Sequence, residues 1–232
     1  MRRGILWISI ALNLAALAAL FVFVQNRGGL EYLKSKAGII SPGVSQALSS
    51  ADRFVQMAEY QRDAVFLGDS LTEGGPWNEL FPKLKVANRG LSGDTVAGIG
   101  LRLEQVTVLK PRQIFLMVGI NDLARSLPVE ELVIRYLALV RKIKSEMPAT
   151  KLTVLSIAPV NTNKFFLVKN ATIAKGNDGI QKIARAESVP YIDIGSKLKG
   201  ADGELRLEFT YDGIHFTGRA YEVWANSLGL ER

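Results

Sequence analysis

The sequence predicts an open, doubly wound α/β sandwich, three layers deep with about five parallel strands, preceded by an apolar transmembrane helix. Two observations carry the sandwich. From Arg62 onward short β-rich runs alternate with longer helical stretches, and those runs are apolar at consecutive positions rather than at every second one. Strands of that kind suit a parallel sheet covered on both faces. A third observation, the uncharged run Ile5–Val24, carries the leading helix. With 232 residues there is room for one sizeable core. The chain divides into an anchor or signal segment (1–26), a linker with an amphipathic helix (27–62) and the sandwich (63–232).

In order along the chain, Ile5–Val24 is interrupted only by the mild polarity of Ser9 and Asn13. As a helix it rises about 30 Å, the thickness of a bilayer's hydrocarbon core. A cleaved signal peptide is the competing reading. Against it, the run exceeds the usual ~7–15 residues, and Phe21-Val22-Phe23-Val24 carries it past the Ala-rich stretch that could supply a cleavage site. The short basic start Met1-Arg2-Arg3 favours an inside N-terminus, which places the main body on the extracytoplasmic side. Gly28-Gly29 and Ser41-Pro42-Gly43 break the linker. After them Val44, Ala47, Leu48, Ala51, Val55 and Ala58 share one helical face.

Five strands are expected: Ala64–Leu67, a weaker Lys85–Asn88, Gln113–Val118, Lys151–Ser156 and Val189–Asp193. Helices are expected over Thr95–Val108, Val129–Met147, Asn170–Glu187 and Gly218–Leu228, the second bracketed by Pro128 and Pro148. In open sheets of this type the ligand lies beyond the carboxyl ends of the strands.

Composition excludes several chemistries. There is no cysteine, hence no disulfide, thiolate zinc site or cysteine nucleophile. A single histidine forbids an HExxH site and routes any imidazole chemistry through His215. The net charge of +7 is scattered, with no interleaving of basic and aromatic residues, so no nucleic-acid partner is expected. Gly93, Gly98 and Gly100 do not form G-x-G-x-x-G, and no P-loop is present.

At the strand ends the sequence gathers reactive types. Gly68-Asp69-Ser70-Leu71 follows the first strand, and a serine on such a turn can aim its hydroxyl into the crevice or simply cap the next helix. Asn88-Arg89-Gly90-Leu91-Ser92-Gly93-Asp94 follows the second, and Gly119-Ile120-Asn121-Asp122 the third. Near the C-terminus, Asp212 stands three residues ahead of His215, a spacing at which a carboxylate can orient an imidazole.

These four segments resemble the blocks of the SGNH or GDSL hydrolases, over roughly Ala64 to Leu228. Gly68-Asp69-Ser70-Leu71 is similar to the nucleophile block, Gly90 to the second-block glycine, Gly119-Ile120-Asn121-Asp122 to G-x-N-D and Asp212-Gly213-Ile214-His215 to D-x-x-H. Asn88-Arg89-Gly90 with Gly93-Asp94-Thr95 looks closest to the branch of platelet-activating-factor acetylhydrolase-like and lysophospholipase-like esterases. The resemblance implies a flavodoxin-like fold, Ser70 as nucleophile, His215 as base and Asp212 as its orienting acid. It also implies an oxyanion hole of the Ser70 and Gly90 N–H groups with the Asn121 amide, and needs no metal or organic cofactor. The expected substrate is a carboxylic ester, O-acetyl, short-acyl or of lysophospholipid type. The same triad could instead pass its acyl group to an envelope glycan, and a non-catalytic membrane tether on a hydrolase fold is the remaining alternative. Asp69 and Asp122 are read as structural, and Trp77 and Phe81 as core. Asn161–Val168 either lines an acyl pocket or packs on the following helix. A bacterial inner membrane is the expected setting.

Overall fold

The computed structural model describes residues 61–231, together with Leu17, Ala18, Phe21 and Val22, which are helical. The rest of the expected anchor, the linker and the amphipathic helix over 44–58 lie outside the described residues. Among the described residues no helix is long and apolar enough to cross a membrane.

Five parallel strands form one sheet: β1 (Ala64–Gly68), β2 (Val86–Gly90), β3 (Gln113–Met117), β4 (Lys151–Leu155) and β5 (Tyr191–Ile192), in the order β2-β1-β3-β4-β5. Strand order reverses between β1 and β3, which opens a crevice at their carboxyl ends. The apolar runs are explained by burial on both faces: Ala64 to Leu67, Ile114 to Met117 and Leu152 to Leu155 are all buried.

The helices are α1 (Ser70–Glu73), α2 (Trp77–Leu80), α3 (Val96–Leu101), α4 (Glu104–Thr107), α5 (Ile120–Ala124), α6 (Val129–Glu146), α7 (Asn170–Ala186), α8 (Gly195–Leu198) and α9 (Gly218–Ser227). The helix α6 packs on α3 and α7, burying Leu132, Tyr136, Leu139, Val140 and Ile143 at helical spacing. On the opposite face Trp77 stacks on Phe66 of β1, with centroids 3.8 Å apart, and meets Trp224 of α9 edge-on at 4.7 Å. Trp77 and Phe81 are core, as expected.

The helix expected over Thr95–Val108 is broken at Arg102 and Leu103. Arg102 leaves helical geometry (φ −116°, ψ 18°) because its guanidinium turns inward to Asp94, Nε to Oδ2 at 2.7 Å. Its Nη2 donates to Gly68 O and Arg89 O, both at 3.0 Å. One buried cation therefore ties the ends of β1 and β2 to the loop beyond them. The expected fifth strand shrinks to two residues, since it pairs only with Val154 and Leu155 of β4.

Candidate active site

Asp69 caps α1, its side chain accepting from Leu71 N–H at 3.1 Å. Ser70 is thereby the first helical residue, whose own N–H has no intrahelical acceptor. Its hydroxyl projects into the crevice and meets His215 Nε2 at 3.1 Å. The other ring nitrogen of His215, Nδ1, lies 2.6 Å from Asp212 Oδ2. An ionised carboxylate only accepts, so Nδ1 carries the ring proton and Nε2 is free to take the one on Ser70. Asp212 Oδ1 also accepts the Ile214 and His215 N–H groups, at 3.0 and 2.8 Å. Partial burial alone would raise its pKa, but the bonds from the His215 ring and these two N–H groups outweigh that and hold it below the ordinary value.

Serine and histidine lie 145 residues apart in the chain, and α9 brings them together. Tyr221 of α9 donates its hydroxyl to Leu71 O at 2.9 Å, one residue past Ser70. Tyr221 also packs edge-on against Phe216, next to His215.

A cavity of about 360 Å³ opens over Ser70 and His215, lined further by Gly93, Asn121, Phe165 and Leu167. A second hollow of about 420 Å³, bordered by Tyr191, Asp193 and Lys199, lies apart from the reactive groups. Asn121 gives one amide hydrogen to Asp94 O at 2.9 Å, which leaves its second for the cavity. The apolar stretch Asn161–Val168 does both things expected of it. Phe165 and Leu167 line the cavity, while Val168 is buried.

Gly90 departs from the expected arrangement. It is not among the residues lining the cavity, and its N–H is taken by Asn88 Oδ1 at 2.9 Å. What the glycine provides is close approach, because a Cβ there would lie 2.0 Å from Glu73 N. The cavity-lining glycine is Gly93, at φ +74°. Its N–H donates to no protein acceptor among the described residues. Glu73 holds the preceding residue, accepting from Ser92 N–H at 2.9 Å and from its hydroxyl, while Arg125 Nη2 donates to Gly93 O at 2.9 Å. The signal was the serine–glycine pair one turn further on. The competing acceptor on Asn88, which takes the Gly90 N–H, is a tertiary difference that the motif does not display. Gly90→Ala should therefore act on folding, costing about 1–3 kcal/mol in unfolding free energy through the clash. Gly93→Ala keeps its N–H but is strained at φ +74°, so it should displace the donor and lower kcat by about 10²-fold with KM little changed. The opposite pattern would restore Gly90 as the donor.

Three buried carboxylates, Asp69, Asp94 and Asp122, lie beneath the site. Burial lifts Asp69 to about 7 against the Leu71 N–H bond, with Asp94 and Asp122 adding to the rise. Burial likewise lifts Asp122 to about 6 against its bond from Val96 N–H. Neither carboxylate bonds to Ser70 or His215, which leaves both as structural groups. The folded chain binds these protons more tightly than the unfolded chain. The stability they confer is complete below pH ~4 and is lost as pH rises through about 7. Asp69→Asn keeps the cap acceptor and cannot ionise. Between pH 5 and 8 the parent should lose about 2–3 kcal/mol more unfolding free energy than this variant, measured by urea titration at each pH. Parallel pH profiles would refute the assignment.

A family model described as GDSL-like lipase/acylhydrolase matches residues 66–223. The platelet-activating factor acetylhydrolase IB subunit alpha2 of Gallus gallus is 27% identical over 191 residues, 77% of this chain and 80% of that protein. A solved protein of Streptococcus pneumoniae named for platelet activating factor superposes with a TM-score of 0.73. It is 26% identical and the match covers 84% of this chain and 95% of that one. A GDSL-like lipase from Bacteroides thetaiotaomicron, 22% identical, shares the fold at a TM-score of 0.66, over 80% of this chain and 94% of its own. The non-catalytic alternative is thereby set aside. Because the match spans most of the sandwich and includes every segment that contributes to the cavity, the chain belongs to the GDSL-like lipase/acylhydrolase family and is a hydrolase acting on ester bonds.

Proposed function

We propose that the chain is a serine esterase that cleaves short-acyl or lysophospholipid-type esters through an acyl-Ser70 intermediate. The supporting observation is the continuous chain Ser70–His215–Asp212, at 3.1 and 2.6 Å, facing the cavity. In the first half-reaction Ser70 Oγ bonds to the ester carbonyl carbon as His215 Nε2 takes its proton. The tetrahedral oxyanion is met by the N–H groups of Ser70 and Gly93 and by the Asn121 amide. The C–O bond to the alcohol then breaks, and His215 returns the proton to the leaving oxygen. Water repeats the cycle on acyl-Ser70, releasing the acid. Asp212 keeps the imidazole in the tautomer that makes both transfers possible.

A cavity of about 360 Å³ walled by Phe165, Leu167 and Ile214 suits a small acyl group. The name of the Gallus gallus relative, an acetylhydrolase, points the same way. The chain is held in a bacterial inner membrane by Ile5–Val24, with the catalytic domain on the extracytoplasmic side. This placement rests on the apolar run and the basic start Met1-Arg2-Arg3.

The test is hydrolysis of p-nitrophenyl acetate, butyrate and octanoate by the full-length chain in detergent, beside Ser70→Ala. Hydrolysis favouring acetate or butyrate and lost in the variant supports the reading. Folded wild-type protein that cleaves none of the three, or activity that survives Ser70→Ala, overturns it.

A further inference from the structure

We infer that the mouth of the active site is a docking surface for an anionic lipid layer, so that the ester reaches Ser70 from that layer rather than from free solution. The inference rests on the esterase reading and supplies the physical state of its substrate.

Two loops form one lip of the cavity. The first follows β4 and turns tightly at Asn161, whose carbonyl accepts from Lys164 N–H at 3.0 Å and Phe165 N–H at 2.8 Å. Phe165 and Leu167 face the cavity, yet Leu167 is still 57% exposed, and Phe166 between them is 83% exposed. The second loop carries the catalytic histidine. Its Tyr211 is 65% exposed, with its ring stacked 5.9 Å from that of His215. Asn161 N–H donates to Gly213 O at 2.7 Å and Lys164 Nζ to Tyr211 O at 3.4 Å, so the two loops are joined. Three large apolar side chains thus stand in water around one opening. Such a patch, rimmed by polar groups, marks a surface that is covered in use.

Charge identifies the cover. Lys164 and Lys169 are exposed on either side of Phe166, and Arg125, also exposed, lines the cavity. Lys169 has no carboxylate partner among the described residues. The neighbouring carboxylates turn to other groups, Asp212 to His215, Glu73 to Ser92, and Glu204 to Thr162 N–H at 2.6 Å, rather than pairing with these cations. An apolar tip flanked by cations that form no ion pair among the described residues fits a layer of apolar chains under anionic headgroups. A second copy of the same face would set like charges against each other.

The proposed anchor allows this orientation. The chain enters β1 at the end of the strand opposite Ser70, about 17 Å away for a strand of this length. About 36 residues separate Val24 from Gln61, a reach of up to ~90 Å with the helix expected over 44–58, ample to lay the Ser70 end on the membrane.

The experiment uses the full-length chain in phosphatidylcholine vesicles with and without phosphatidylglycerol. In a Trp7→Phe background, which removes the tryptophan of the apolar segment, Phe166→Trp places a fluorophore at the tip. Brominated acyl chains should quench it beyond the background, and more strongly when phosphatidylglycerol is present. Phe166→Ser and, separately, Lys169→Glu should leave turnover of water-dissolved p-nitrophenyl acetate within about twofold. Each should lower turnover of a p-nitrophenyl ester held in phosphatidylglycerol-containing vesicles by about tenfold. A tip that is not quenched, or quenching indifferent to phosphatidylglycerol, overturns the inference. So does a vesicle-borne ester cleaved equally well by both variants, or a tip shielded by raised protein concentration without lipid. Failure of the wild type on every ester would count against the esterase reading instead, and the quenching result would still decide the docking.

Discussion

Alanine at Ser70 is expected to lower kcat for p-nitrophenyl acetate by about 10⁴-fold or more, and alanine at His215 by a comparable factor. The geometry explains why the two losses are alike. Among the described residues the Ser70 hydroxyl reaches one base, His215 Nε2 at 3.1 Å, and the chain contains no second histidine that could replace it. Without His215 the hydroxyl keeps its proton and attacks poorly. Without Ser70 the imidazole has nothing to deprotonate but water. Residues acting as one unit give strongly non-additive effects, so the double variant should be no slower than the worse single one. Residual activity in all three should be of similar size, reflecting the oxyanion donors and binding that remain. Multiplying losses in the double variant would show that the two residues act independently and would dismantle the relay.

Leucine at Arg102 is expected to cost about 3–5 kcal/mol in unfolding free energy, read from urea titrations followed by tryptophan fluorescence. Asp94 is fully buried and Arg102 is 2% exposed, and the pair meets at 2.7 Å. Burial raises the pKa of Asp94, with the guanidinium as the main opposing influence. Removing Arg102 strands that carboxylate and also frees the carbonyls of Gly68 and Arg89 from their donor. Adding Asp94→Asn to the variant should recover part of the loss, because a neutral amide needs no buried counter-charge. A loss below about 1 kcal/mol, or no recovery in the pair, would mean that solvent reaches the site and screens it.

Much of the sandwich was legible locally. Strands β1, β3 and β4 announce themselves as apolar runs because both of their faces are covered. The Ser70 turn and the Asp212–His215 pair are equally legible, since their geometry is set within four residues. Pro128 fixed the start of α6, while the long helix expected after Asp94 failed at Arg102, whose partner lies eight residues back and off the helix axis.

The sequence by itself determined the α/β class and the period of each main element, and singled out Ser70, His215 and Asp212 as a set. Those follow from hydrophobic spacing and from motif chemistry, which act over a few residues. Only the tertiary structure decided that the Gly90 N–H is taken while that of the cavity-lining Gly93 meets no protein acceptor among the described residues, that Arg102 is the cation beneath Ser70, and that α9 closes the gap between Ser70 and His215. Each of these depends on which acceptor wins a donor, or on which side chains share a packed layer. Such competition is settled by three-dimensional neighbours, here as far as 150 residues apart in the chain, and leaves no periodic trace in the sequence.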